Sequence, residues 1–369
     1  MGKAYCLCGV ALLLAAGCKA KTDDGDGIGT SKPPKIDSDR LKDQINDAVD
    51  MARNTEICPG YTVDELLKAD SLSDECRDAL LSFLPKPQNS FDGRLIVPGG
   101  ARIVDGELRL LVQAADADGT AVSAADLGAG LEVSLEAGGE LSTLDSDALS
   151  FTARGDLPAD LLSIAVVNDY SASMLDGDLD DVEDVERALL RCLPPVHETE
   201  VIRFSEEVTK VLAFSSDRDA IDGALARDDD FERGTTALLD GLGTGLEDLR
   251  GRERPVRVVI LATDGRENAS TMFDKPEVLA ALDEPDTFIV TLAGLLADLD
   301  TVRELSMGNG VYFYTREFAD LAESVDPFCD SLAELTELRI KLPDGDAPTK
   351  VRLAHADLDL TLDVSVNAD

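Results

Sequence analysis

The sequence predicts an α/β protein built around a doubly wound, mainly parallel β-sheet. Between residues 159 and 335, short β-branched runs alternate with amphipathic runs of helical spacing, which is the pattern of successive strand–helix units. Within this region, residues 256–261 are almost continuously apolar, as expected of a strand buried on both faces. Alternating runs on both sides of the region indicate additional antiparallel strands.

The central region, residues 159–335, is expected to place its ligand-binding residues at one edge of the sheet. Its strands are predicted at residues 162–168, 200–204, 208–214, 256–263, 287–292 and 310–314. Its helices are predicted at residues 182–193, 217–225, 237–249, 275–282, 298–307 and 318–335. Because ligand sites in such sheets form outside the carboxyl ends of the strands, polar residues that follow a strand are the first candidates.

The flanking segments are expected to complete one β-sandwich module. Residues 90–158 contain predicted strands at 94–97, 101–104, 107–114, 131–135 and 149–153, punctuated by Gly-Gly and Asp-Gly turns. Residues 336–369 add predicted strands at 337–342, 349–354 and 358–366. Residues 36–89 are predicted to be helical, because Leu41, Ile45 and Ala48 recur at helical spacing and Thr62 with Glu65 resembles a capping box.

The amino terminus has the features of an export signal. In residues 1–17, Lys3 precedes an apolar core that is too short to span a membrane as a helix. The core ends in Ala16-Gly17-Cys18, which resembles a bacterial lipobox and implies lipidation of Cys18; an ordinary signal peptide is the alternative. By resemblance to Gram-negative lipoproteins, Lys19 implies attachment at the outer membrane of the cell envelope. Residues 18–35 predict a flexible linker.

Charge and cysteine content restrict the partners and the compartment. The 369 residues include 34 Lys and Arg against 74 Asp and Glu, a net charge of −40, so we expect no nucleic-acid partner. The cysteines after Cys18 are even in number, which in an exported protein indicates two disulfides with a pairing that sequence alone leaves open. These candidates are Cys58, Cys76, Cys192 and Cys329. The first two bracket one segment and are expected to staple it.

Oxygen-bearing side chains recur at three places in the central region. Asp169, Ser171 and Ser173 follow the first predicted strand, Thr236 lies at a helix start, and Asp264 follows the strand at 256–263. If the two strands are parallel in one sheet, both aspartates lie at the same edge. Such hard donors suit Mg²⁺ or Ca²⁺ and not the metals that prefer nitrogen and sulfur.

The order D-x-S-x-S, G-T-T-A-L and T-D-G resembles the von Willebrand factor type A family and its metal-ion-dependent adhesion site. The resemblance covers about residues 161–335. It implies a Rossmann-like fold and five metal ligands, namely Asp169, Ser171, Ser173, Thr236 and Asp264. It also implies Mg²⁺, or Ca²⁺ or Mn²⁺, and a protein partner whose exposed acidic residue completes the coordination.

Some residues depart from the family pattern without removing a ligand. Asn168 stands where the family usually has an apolar residue, and Ala172 replaces a frequent glycine. Thr235 stands where a second glycine is common, which makes it the rival of Thr236 as the ligand.

The resemblance has two further implications. Some relatives hold a regulatory Ca²⁺ at the position of Asp176, although the acidic run that begins there is more typical of a solvated helix N-terminus. The fold would also bring Cys192 and Cys329 together on neighbouring helices, and a disulfide between them would hold the last helix in one state.

These residues predict metal-dependent protein binding, in adhesion or in envelope assembly. Enzymatic activity is not expected, because the sequence offers no general base beyond the ligating aspartates. A structural envelope scaffold with a silent metal site is the alternative, and a metal-dependent hydrolase is a less favoured third reading.

Overall fold

The computed structural model describes residues 56–58, 60–62, 76, 86–91, 101–114, 120–158, 160–174, 176–194, 197–264, 267–284, 286–295, 297–307, 309–343, 347–358 and 360–367. The predicted signal peptide, the predicted linker and the predicted strand at 94–97 lie outside these residues. No helix in the described part of the chain combines the length and apolar character needed to cross a membrane. The chain divides into two compact units, Met1–Leu80 and Leu81–Asp369.

The described residues of the first unit form a small antiparallel hairpin. Strand β1 (Glu56–Cys58) pairs with strand β2 (Tyr61–Thr62). Gly60 between them has φ of +85°, a conformation that glycine adopts without steric cost. The helical prediction for residues 36–89 is therefore wrong at this hairpin, because a turn that requires positive φ cannot continue a helix.

The second unit contains two sheets and seven helices within its described residues. Its strands are β3 (Gln88–Asn89), β4 (Ala101–Val104), β5 (Glu107–Val112), β6 (Leu131–Ala137), β7 (Glu140–Thr143), β8 (Leu149–Ala153), β9 (Leu162–Asp169), β10 (His197–Phe204), β11 (Val208–Ser215), β12 (Val256–Thr263), β13 (Thr287–Ala293), β14 (Gly310–Tyr314), β15 (Thr336–Lys341), β16 (Lys350–His355) and β17 (Leu360–Asn367). Its helices are α1 (Ala124–Gly130), α2 (Asp176–Cys192), α3 (Arg218–Leu225), α4 (Leu238–Arg250), α5 (Lys275–Leu282), α6 (Leu299–Leu305) and α7 (Leu321–Leu332).

A seven-stranded sheet forms the centre of this unit, in the order β11-β10-β9-β12-β13-β14-β3. The five strands from β10 to β14 in this order are parallel, whereas β11 and β3 pair antiparallel at the two edges. Side chains of β9 alternate between two apolar cores, with Ile164 and Val166 in one core and Ala165 and Val167 in the other. Apolar packing on both faces confirms the predicted doubly wound, mainly parallel fold.

An eight-stranded sheet contains strands from both flanking segments, in the order β7-β6-β16-β17-β4-β5-β15-β8. Strand β15 lies between β5 and β8, and β16 pairs with β6, so the carboxyl-terminal strands intercalate among the earlier ones. Its own apolar core contains Leu108, Leu110, Val133, Leu338 and Val351. The packing of these strands as a two-layer sandwich stays a prediction.

Three short elements lie in segments that carry no periodic apolar signal. Helix α1 and strand β7 were not predicted, and β3 lies inside the segment predicted to be helical. Gln88 and Asn89 pair instead with Tyr314 and Phe313 at the edge of the parallel sheet. The helical prediction is wrong here too, because an open strand edge supplies backbone hydrogen bonds that local sequence does not reveal.

The structure joins the cysteines in two disulfides. Cys192 at the end of α2 is bonded to Cys329 in α7, which confirms that pairing. In the first unit, Cys58 is bonded to Cys76.

Candidate metal centre

The two aspartates of the predicted site lie side by side at the carboxyl edge of the seven-stranded sheet. Strands β9 and β12 are parallel neighbours, and Asn168 is in register with Ala262. Asp169 is the last residue of β9, and Asp264 directly follows β12. The two strands are buried along their length, so their ends are held rigidly and both aspartates are at least 96% buried.

The side chain of Asp169 holds the loop that follows β9 in a tight turn. Asp169 Oδ1 accepts a hydrogen bond from the N–H of Ser171 at 2.8 Å, which is an Asx-type turn. This turn places the hydroxyls of Ser171 and Ser173 3.0 Å apart. The Ser173 hydroxyl then donates to Asp264 Oδ1 at 2.7 Å. The structure therefore brings these four predicted residues into one connected cluster of oxygen atoms.

The spacing of these oxygens fits an octahedral ion. Ligands at the 2.0–2.1 Å distance that Mg²⁺ demands lie about 2.8–3.0 Å apart along the edges of an octahedron. The separations between Ser171 Oγ and Ser173 Oγ, and between Ser173 Oγ and Asp264 Oδ1, are 3.0 and 2.7 Å. The donor set of hydroxyls and carboxylates is also the set that hard cations prefer. These residues fit a divalent cation.

The loop that carries Thr236 is hydrogen-bonded to the loop that follows β9 and to the loop that follows β12. The carbonyl of Gly234 accepts from the N–H of Ala172, and the N–H of Thr236 donates to Asn268 Oδ1 at 2.9 Å. The N–H of Asn268 returns a bond to the carbonyl of Thr236. Thr236 is 4% exposed, whereas its rival Thr235 is exposed to solvent. The threonine loop thus lies between the two aspartate loops, with Thr236 as its buried hydroxyl.

The electrostatics of the cluster favour a cation. Burial and the negative charge of Asp169 together raise the pKa of Asp264 to about 7, while the hydrogen bond from Ser173 opposes the shift. The hydrogen bonds to Asp169 and Asp264 come from hydroxyl groups and a backbone N–H. A divalent cation would remove the repulsion between the carboxylates and restore their charged forms.

Several residues that shape the site were not predicted. The hydroxyl of Thr263 donates to Asp169 Oδ2 at 2.6 Å and fixes the carboxylate from behind. Asn268 holds Thr236, as described above. Gly294 approaches so closely that a Cβ there would lie 2.9 Å from the Cβ of Asp264. The T-D-G motif contained a signal for Thr263, but neither the asparagine nor the distant glycine had one.

Asn168, which departs from the family pattern, forms a buried polar pair. It is 2% exposed, and its side-chain NH₂ donates to Glu186 Oε2 at 2.9 Å. Burial raises the pKa of Glu186 to about 8, and the hydrogen bond from Asn168 partly offsets this. The acid on α2 therefore satisfies the NH₂ group of Asn168, whereas Asn168 Oδ1 and Glu186 Oε1 are buried without a hydrogen-bond partner among the described residues.

The structure does not bring Asp176 into the cluster. Asp176 begins helix α2, is 69% exposed, and forms an ion pair with Arg233 at 2.7 Å. Arg233 also donates to the carbonyl of Met174. A guanidinium therefore already supplies the positive charge that a second cation would bring.

Clusters richer in charged ligands are absent from the described residues. No group of three or more His, Cys, Asp or Glu side chains there could hold a metal ion. The candidate centre therefore depends on its hydroxyl ligands, with two carboxylates among the five candidates.

Comparisons with known proteins find one family whose model matches the central region. Residues 163–327 match the family described as von Willebrand factor type A domain. No curated protein matches the chain.

Three solved structures illustrate the likeness of folds. Proximal thread matrix protein 1 from the mussel byssus, with a zinc-occupied MIDAS motif, is 20% identical, with 52% of this chain and 50% of that chain covered and a TM-score of 0.41. A von Willebrand factor type A protein from Catenulispora acidiphila is 12% identical, with 78% and 75% covered and a TM-score of 0.42. The conserved hypothetical protein BatB from Bacteroides thetaiotaomicron is 17% identical, with 47% and 99% covered and a TM-score of 0.37. The chain spans about half the length of the mussel protein that it matches.

Proposed function

We propose, from the match of residues 163–327 to the von Willebrand factor type A domain, that the chain is a metal-dependent protein-binding protein. A divalent cation, Mg²⁺ or alternatively Ca²⁺ or Mn²⁺, is held by Asp169, Ser171, Ser173, Thr236 and Asp264. Domains of this type often mediate protein–protein interaction. The partner is a protein that presents an exposed acidic side chain, whose carboxylate completes the coordination.

The observation that supports this proposal most directly is the octahedral spacing of hydroxyl and carboxylate oxygens at the carboxyl edge. The cluster contains two carboxylates, and the other ligands are neutral. An ion held by so few charges remains electrophilic, so it attracts an additional anionic ligand. The proposed activity is binding and not turnover, because both carboxylates of the cluster serve as ligands and neither is left to act as a general base.

We also propose that the protein acts at the cell envelope. The Ala16-Gly17-Cys18 sequence supports lipidation of Cys18 and attachment to a membrane, with the outer membrane as the proposed location. The linker at residues 18–35 would then give the binding domain its reach from the lipid.

Calorimetric titration of Mg²⁺ into the purified chain tests the metal site. We expect saturable binding by the native chain and loss of that binding in the variant Asp264→Ala. The matched control is Asp300→Ala, which removes a carboxylate whose side chain is 78% exposed and paired with Arg303. Equal binding by Asp264→Ala and by the native chain would remove the proposal.

Retention of envelope proteins on the immobilised chain tests the partner. A partner should be retained in Mg²⁺, released by chelator, and not retained by Asp264→Ala. Retention that persists undiminished in chelator points instead to a scaffold whose metal site is silent.

A further inference from the structure

A cleft of about 770 Å³ opens at the amino edge of the seven-stranded sheet, opposite the metal centre. Its lining includes Leu161, which precedes β9, Glu198 near the start of β10, and Pro255, which precedes β12. The other wall comes from strands β4 and β5 of the eight-stranded sheet. A cleft of this volume accommodates a small organic molecule.

Arginines line both walls of this cleft, although the chain is strongly acidic. Arg102 and Arg109 lie on the wall from the eight-stranded sheet, and Arg252 and Arg254 lie on the wall from the parallel sheet. Acidic residues outnumber basic ones by 74 to 34 over the whole chain, whereas the lining has four arginines against Asp160, Glu198 and Glu253. The charge balance of the molecule is therefore reversed at the cleft.

Three arginines form a ladder across adjacent strands of the eight-stranded sheet. Arg102 on β4 is directly opposite Arg109 on β5, which is directly opposite Arg339 on β15. Directly opposed residues point to the same face, and like charges in such positions are destabilising. Sequence neighbours of the ladder, such as Leu108 and Leu338, point to the opposite face and into the core. The ladder therefore concentrates positive charge on the face away from the core.

Two carboxylates near the cleft are each shared between two guanidiniums, and Arg109 of the ladder pairs with Glu107 at 3.3 Å. Glu337 pairs at 2.7 Å with both Arg102 and Arg339. On the other wall, Glu198 forms a bidentate pair with Arg252 at 2.8 Å and lies 3.5 Å from Arg254. Glu337 and Glu198 therefore each divide one negative charge between two guanidiniums.

Hydrogen bonding within the ladder is also incomplete. Among the described residues, the buried Nη1 of Arg102 and the buried Nε of Arg109 have no hydrogen-bond partner. Burial lowers the pKa of Arg102, and the neighbouring charges of Arg109 and Arg339 act in the same direction, against the opposing effect of Glu337. An additional anion in the cleft would offset the repulsion between these guanidiniums.

We propose that this cleft binds a small molecule that carries two or more oxyanion groups, either phosphate or carboxylate. Guanidinium groups bind both through paired, parallel N–H···O bonds. Two arginine-bearing walls favour a ligand with anionic groups at both ends over a single monovalent ion. The site lies at the sheet edge opposite the metal centre, so its occupation does not depend on the cation.

Calorimetric titration of pyrophosphate and of citrate, at constant ionic strength and with chelator present, tests this site. We expect saturable binding of at least one of the two anions; preference for pyrophosphate indicates a phosphate ligand, and preference for citrate a carboxylate ligand. Binding should weaken about tenfold in Arg109→Gln and in Arg252→Gln, which corresponds to about 1.4 kcal/mol. Arg109→Lys keeps the charge but loses the planar fork, and it should bind more weakly than the native chain.

The matched control is Arg352→Gln, which removes an arginine from the same eight-stranded sheet, where it pairs with Asp363. Binding by this variant should equal that of the native chain, and circular dichroism confirms that each variant is folded. The proposal fails if the native chain shows no saturable binding of either anion at millimolar concentration. It also fails if Arg352→Gln weakens binding as much as the cleft variants do.

Discussion

Buried carboxylates at the carboxyl edge and at the amino edge of the seven-stranded sheet have different kinds of partner. At the carboxyl edge, Asp169 and Asp264 are contacted by hydroxyl groups and backbone N–H groups. At the amino edge, Glu198 is held by two guanidiniums and by the hydroxyl of Ser163. Glu337, on the facing strand β15, is likewise held by two arginines.

In the two proposals, the partner of a buried carboxylate decides which ligand the region takes. A carboxylate held by neutral donors keeps its charge uncompensated and attracts a cation. A carboxylate shared by two arginines leaves positive charge in excess, and that region attracts an anion. The same sheet can therefore present sites of opposite charge preference at its two ends.

Removal of Glu337, the carboxylate shared by two arginines of the ladder, should cause the largest loss of stability. In Glu337→Gln, Arg102 loses its charged partner. Its side chain, which is 12% exposed in the native chain, stays largely buried. Loss of one member of a buried ion pair costs about 3–5 kcal/mol, so the free energy of unfolding in urea should fall by that amount. The control Glu107→Gln removes a carboxylate that is 40% exposed beside Arg109 and should cost less than about 1 kcal/mol. Similar losses in both variants would contradict the role of burial.

The corresponding change at the metal centre should have the opposite effect on stability when no metal is bound. Asn in Asp264→Asn can still accept the hydrogen bond from Ser173, but the repulsion with Asp169 is removed. We therefore expect an unchanged or higher melting temperature in chelator, and Mg²⁺ affinity about a hundredfold weaker, which corresponds to about 2.7 kcal/mol. Thermal unfolding with and without Mg²⁺ measures both effects, with Asp300→Asn as the exposed control. A lower melting temperature in chelator would contradict the contrast between the two edges.

The sequence alone predicted the residues of the metal centre at the carboxyl edge, but not the arginine ladder at the amino edge. Asp169, Ser171, Ser173 and Asp264 follow strands with strong apolar signals, so their convergence follows from the parallel sheet. The arginine ladder was not predicted, because it depends on the register between strands whose residues are far apart in the chain. A shift of one residue would move every side chain of a strand to the other face, and sequence did not fix that register. The hairpin at Gly60 and the edge strand at Gln88 were missed for a related reason, since short strands owe their conformation to their pairing.

Another buried carboxylate, Glu200, lies between the two ends of its strand and should make stability depend on pH. Glu200 on β10 is 1% exposed, with Lys210 Nζ at 3.6 Å from its Oε2. Burial and the charge of Asp248 together raise its pKa to about 8, while Lys210 opposes the shift. Because the unfolded chain releases this proton at a lower pH, the folded state binds more protons between about pH 4.5 and 8, and stability falls as pH rises through this window.

Replacement of Glu200 by Gln should flatten this dependence. The contribution of one group to the slope is at most about 1.4 kcal/mol per pH unit, and partial charge compensation by Lys210 reduces it. Urea unfolding of native chain and variant at a series of pH values measures the difference. The exposed Glu207 on the turn after β10 provides the control, since Glu207→Gln should leave the slope unchanged. A difference between native and Glu200→Gln chains that does not vary with pH would show that burial does not shift this group.

Replacement of Asp176 should have the smallest effect. It tests whether the partner of a carboxylate or its location decides which ligand it binds. Asp176 lies on the metal side of the sheet, yet its 2.7 Å pair with Arg233 resembles the carboxylates of the amino edge. If the partner decides, Asp176→Asn should leave the number and affinity of bound Mg²⁺ and Ca²⁺ ions unchanged. Because Asp176 is 69% exposed, its loss should also change the free energy of unfolding by less than about 1 kcal/mol. Loss of a second bound Ca²⁺ in this variant, measured by calorimetry, would instead show that a cation displaces the arginine and that location outweighs the partner.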